Sequence, residues 1–83
     1  MKKQITKEIT RVKKLIKTFA KQQNVQVFID RVNPLQGMIN DLFSDLFYKD
    51  TNEFNKISYK QVEFNSFVDD CWKYCQGDKR IML

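Results

Sequence analysis

The chain predicts an all-α fold, a small bundle of three to four helices, on three observations. Apolar residues recur at steps of three and four along most of its length, the spacing of one helix face. Capping residues fall between those runs, and only two Gly and one Pro punctuate the sequence. The stretches left over are short and polar. Helices are expected over about residues 2–23, 25–32, 34–48 and 59–76. The 83 residues are read as a single domain, because chains divide only well above this length. A hydrophobic content of 42% is that of a folded protein and excludes global disorder.

The first helix is expected over residues 2–23. Ile5, Ile9, Val12, Ile16 and Phe19 step by four, three, four and three, the spacing of a helix seam. Such a stripe packs on the body of its own chain or pairs with a second copy. Under three heptads is too short for a free-standing coiled coil. The opposite face carries Lys3, Lys7, Lys14, Lys17 and Lys21, with Thr6 and Thr10 between them and Arg11 and Lys13 at the flanks.

The apolar phase breaks near Asn24. Val25, Phe28, Ile29 and Val32 point away from the stripe that ends at Phe19, so a turn is expected at Gln23–Asn24. Residues 25–32 then make a short helix. A minor α+β alternative pairs them as a strand with residues 57–64, because Val25, Val27 and Ile29 alternate and are β-branched. Asn33-Pro34 reads as a helix start, Asn as cap and Pro at the first helical position.

The helix expected from Pro34 to Tyr48 has the broadest apolar face: Leu35, Met38, Ile39, Leu42, Phe43, Leu46 and Phe47. A face that wide predicts a central wall on which two other helices pack. Gly37 in its first turns predicts a close approach by a neighbour. Lys49 to Asn55 is polar and is expected to be the longest loop. Asp50-Thr51-Asn52 is a poor calcium loop, since Phe54 and Asn55 stand where an oxygen ligand and a Gly are needed.

Ser58 and Gln61 form a capping-box pattern that opens the last helix. Its core face holds Phe64, Phe67, Val68, Cys71, Trp72 and Cys75, with Tyr74 at the edge. Gly77 is a natural stop, and residues 78–83 follow as a short tail.

Charge is unevenly spread. Residues 1–23 hold eight bases against the single acid Glu8, a local +7, while residues 24–83 hold seven bases and nine acids, a local −2. A basic segment on a faintly acidic body points to an anionic partner, either nucleic acid or an acidic protein. Lys outnumbers Arg twelve to three, which leaves Arg11 as the one bidentate base reader in that helix. The Lys, Asn, Ile and Phe bias fits the AT-rich genome of a low-GC bacterium or its mobile elements.

The residue inventory argues against catalysis. No His is present, which removes the usual general base, nucleophile partner and metal ligand. Cys71 and Cys75 are two thiols where a structural zinc site needs four ligands. Four residues apart on one helix, they are expected to be reduced core residues of a cytoplasmic protein. No phosphate-cradling Gly-rich loop, signal peptide or membrane span is apparent. The expectation is a non-enzymatic protein that works by binding another protein, as a regulator or inhibitor from a phage or other mobile element. No cofactor or metal is called for, and self-association as a homodimer is an attached expectation. Tyr48, Phe54 and Tyr59 are the interface candidates, because aromatic residues concentrate at interface centres. The alternative is a nucleic-acid-binding module that uses Lys3, Lys7, Arg11, Lys14, Lys17 and Lys21; a membrane-surface role ranks last.

Overall fold

The computed structural model describes residues 2–83. They form three helices, α1 (Lys2–Lys21), α2 (Val25–Lys49) and α3 (Thr51–Cys75), each packed on both of the others. The bundle expected from the periodicity is present, and no strand occurs among the described residues. Residues 25–32 and 57–64, the strand pair of the α+β alternative, are helical. Both other helices pack on α2, as the breadth of its apolar face predicts, but α1 and α3 also pack on each other, so α2 is not the sole wall. The arrangement is a triangle, with one core along its axis.

That core draws on all three elements. Ile5, Val12, Ile16 and Ala20 come from α1, Phe28, Val32, Ile39, Phe43 and Leu46 from α2, and Ile57, Phe64, Val68, Cys71 and Cys75 from α3. Ile9 and Phe19 are partly buried against it, so the α1 seam packs within its own chain. No polar or charged side chain is buried among the described residues. The hydrophobic effect therefore holds the bundle, at roughly 1.5–3 kcal/mol for each fully buried large side chain.

The turn between α1 and α2 falls where the phase break places it. Gln23 adopts a φ of 53°, and the Asn24 Oδ1 accepts the Val27 N–H at 3.1 Å as N-cap. Beyond it the expected boundaries fail. Pro34 lies inside α2 and starts nothing. It lacks the N–H that would bond the Asp30 carbonyl, yet Phe28, Val32, Ile39, Phe43 and Leu46 keep one buried stripe on either side of it. Burial of that continuous stripe outweighs a local cost of about 3 kcal/mol. Gly37 has nothing within 4 Å of the place a Cβ would occupy, so the close approach expected there does not occur.

The long loop expected over 49–55 is also absent. Asp50 alone separates α2 from α3: its N–H donates to the Leu46 carbonyl at 2.7 Å, and its carboxylate accepts the Glu53 N–H at 3.1 Å. One residue thus ends one helix and caps the next. Ser58, read as a cap, sits within α3 and donates to the Asn55 carbonyl at 3.4 Å. The stop at Gly77 (φ 97°) is as expected. Gly77 and Asp78 donate to the Tyr74 and Lys73 carbonyls at 2.9 and 3.0 Å, a Schellman closure. In the tail, hydrogen bonds from Arg80 hold the Asp78 carboxyl down at about 2, and Leu83 packs on the core.

Candidate functional site

The fold separates two surfaces. α1 touches both α2 and α3, so its outward face and the open side of the α2–α3 seam lie on opposite sides of the bundle.

The outward face of α1 carries the lysines. Lys3, Lys7, Lys14 and Lys21 are exposed and Lys17 is half-buried; all five fall within about 80° of the helix circumference at 100° per residue. Among the described residues, ion pairs join Glu8 to Arg11, Glu53 to Lys56, Asp69 to Lys73 and Asp78 to Arg80. None includes a lysine of α1. Two further contacts draw positive charge toward its flank: Lys60 of α3 donates to the Thr6 hydroxyl at 3.1 Å, and Lys13 sits 4.8 Å above the Phe67 ring. Arg11 differs from the lysines. Its guanidinium holds Glu8 at 2.7 Å and keeps that carboxyl below its ordinary range, so Arg11 is already engaged within the helix.

The α2–α3 seam is the second surface. Ile29, Asn33, Gln36, Asn40 and Phe47 share one side of α2, and Phe54, Gln61, Asn65 and Trp72 share the facing side of α3. The middle of the seam is an amide ladder. Asn40 and Asn65 exchange hydrogen bonds at 3.0 and 3.1 Å, Gln36 donates to Asn65 at 3.1 Å and Gln61 donates to Asn40 at 2.9 Å. Both Asn side-chain oxygens accept two donors, so these two oxygens are satisfied from within the ladder and can be covered without being stranded.

Each end of the seam is apolar. Near Asp50, Phe47 packs edge-on against Phe54 and Tyr48, with centroids 5.3 and 5.5 Å apart. Phe47 is nevertheless 43% exposed and Tyr48 85%. At the other end a groove of about 420 Å³ opens between Phe28, Ile29, Val68 and Trp72, with Asn33, Gln36, Asn65 and Asp69 on its walls. Of the three aromatic candidates, Tyr48 and Phe54 are thus brought together through Phe47. Tyr59 is not: it lies five residues along α3 from Phe54, about 140° around the helix, and is exposed beside Val62.

Periodicity places Phe47 and Trp72 on apolar faces, but neither the exposure of Phe47, the amide ladder nor the Trp72 groove follows from it. A signal existed, since Gln36/Asn40 and Gln61/Asn65 are two amide pairs at i, i+4 within apolar stripes. Cys71 and Cys75 are free and buried, as their place on the apolar face predicts. Desolvation, reinforced by the nearby Asp70 charge, pushes the Cys71 thiol up to about 11. A thiol held so far from ionisation is a poor nucleophile.

Compared with protein-family models, curated proteins and solved structures, the chain finds no match.

Proposed function

We propose that this chain is a non-enzymatic, protein-binding protein of the regulator or inhibitor kind, and that it receives a helix of its partner along the α2–α3 seam. The observation that carries this reading is the Phe47–Tyr48–Phe54 cluster, packed on itself yet open to solvent. Edge-packed aromatic rings are pre-ordered anchors and lose little entropy on contact. The seam runs about 27 Å from Ile29 to Phe47 at 1.5 Å per residue, the length of five helical turns. An apolar anchor stands at each end, with a polar stretch between them whose Asn oxygens are already hydrogen-bonded. A fourth helix laid there would convert three helices into a four-helix bundle, a packing that short amphipathic helices favour.

The partner helix is a segment of another protein; a second copy of this chain is the competing occupant. Light scattering after size exclusion at tens of micromolar separates the two: a monomer leaves the seam to another protein, and the homodimer expected from the sequence gives it to a second copy. A photo-crosslinking residue placed at Tyr48 should trap a protein from the source organism that the same residue at Thr18 on α1 does not. Purified, that protein should bind the wild-type chain and lose at least tenfold in affinity to Phe47→Ser with Tyr48→Ser. Equal affinity for that double variant, with its helical circular dichroism intact, rules the seam out.

The lysine face of α1 is a separate surface. Nucleic-acid binding is the second reading, favoured by the absence of any carboxylate paired with those lysines among the described residues.

A further inference from the structure

We infer that the outward face of α1 is a ridge for the phosphate backbone of duplex nucleic acid, engaged without reading sequence. This deepens the second reading above and is independent of the α2–α3 seam. Lys3, Lys7, Lys14, Lys17 and Lys21 run along about 27 Å of one straight element. None of them has a carboxylate within ion-pairing distance among the described residues. Lys60 is held against the same helix by its 3.1 Å bond to Thr6. The acids at the margins are Glu8, which is occupied by Arg11, Glu63, beside Lys13 and Lys60 in a shallow groove, and Asp70, whose charge acts on the same Cys71 thiol as Lys13 and Lys17 without pairing with either.

Three kinds of anionic surface could meet such a ridge, and the fold favours one. A membrane is disfavoured because a surface helix must bury an apolar face in lipid. α1 has already spent its own: Ile5, Val12, Ile16 and Ala20 are at most 1% exposed. An acidic protein is disfavoured because protein interfaces centre on desolvated aromatic and apolar anchors and are depleted in Lys. The only large apolar side chain exposed on α1 is Leu15, at the ridge's edge. Phosphates need no such centre. Lysine serves them as a point charge, and release of condensed counterions supplies the affinity. Sequence readout by arginine is limited, because α1 has a single Arg and its guanidinium pairs with Glu8.

The test is fluorescence anisotropy of a labelled 20-base-pair duplex with the full chain. About four neutralised phosphates predict a log–log salt slope of roughly −3.6, so affinity should fall roughly 150-fold between 50 and 200 mM salt. Lys14→Glu with Lys17→Glu and Lys21→Glu should abolish binding. Lys3→Gln with Lys7→Gln, a milder change at the other end, should reduce the slope by about 1.8. Two duplexes of unrelated sequence should bind within about threefold of each other, and polyglutamate of matched charge should compete at least tenfold less well than unlabelled duplex. No binding at 50 mM salt, unchanged binding by both variants, or polyglutamate competing as well as duplex would overturn the inference. The last result would transfer the ridge to an acidic protein.

Discussion

Cys71 shows how a single residue's burial becomes a property of the whole chain. Its thiol is fully enclosed, and its pKa stands at about 11 against an ordinary 9.0. In the unfolded chain the thiol ionises first. Its contribution is therefore complete below pH 9 and is lost as pH rises through 11, because the unfolded state binds fewer protons in that window. The loss should be on the order of 2 kcal/mol. Urea titrations of wild type and Cys71→Ala at pH 8 and pH 10.5 check it: the variant starts about 1 kcal/mol lower, as a small core truncation does, and falls less steeply. Parallel losses would mean that Cys71 does not carry the dependence. Its burial was legible in the sequence, since Phe64, Val68, Cys71 and Cys75 hold one helical phase. The amide ladder was harder to see. Gln36, Asn40, Gln61 and Asn65 are polar, and only the pairing of α2 with α3 reveals that they face one another.

At the scale of the element, the lesson lies in the two boundaries that local signals misplaced. Asn33-Pro34 has the residues of a helix start, but the buried phase of Phe28 and Val32 continues into Ile39 and Phe43. Tertiary burial overrode a local preference. The first turns of α3 read as loop because only Phe54 and Ile57 of residues 51–57 lean appreciably on the core. The cap was nevertheless written there, as Asp50 with Glu53 three residues on. An interior proline that packing merely tolerates should be improvable. Pro34→Ala restores an N–H for the Asp30 carbonyl and is expected to stabilise the protein by about 1–3 kcal/mol. Thermal melts should then rise by about 4–8 °C per kcal/mol. A lower melting temperature would show instead that α2 needs the proline's geometry to reach both neighbours.

Across the whole molecule, charge and apolar surface are sorted onto different sides. α1 carries the unpaired lysines, while Phe47, Tyr48, Ile29 and the Trp72 groove belong to α2 and α3. The sorting of charge was readable from composition, as a local +7 in residues 1–23. Its consequence needed the fold, because only the fold shows that no acid of α2 or α3 forms an ion pair with those lysines among the described residues. Unscreened, like charges along one helix repel and oppose folding. Raising NaCl from 10 to 300 mM should therefore raise the melting temperature by a few degrees, as the Debye length contracts below the span of the ridge. A fall would indicate that attractive pairs dominate.

If one rigid frame presents two independent surfaces on opposite sides, a ligand held by one should leave the other undisturbed. An amide ¹H–¹⁵N correlation spectrum, followed as a short duplex is added at 50 mM salt, tests it most directly. The prediction is that resonances of Lys3, Lys7, Lys14, Lys17, Lys21 and Lys60 shift in step, while those of Ile29, Asn40, Phe47, Tyr48 and Trp72 stay where they were. Shifts centred on the latter group, or a spectrum that does not change at all, would contradict it.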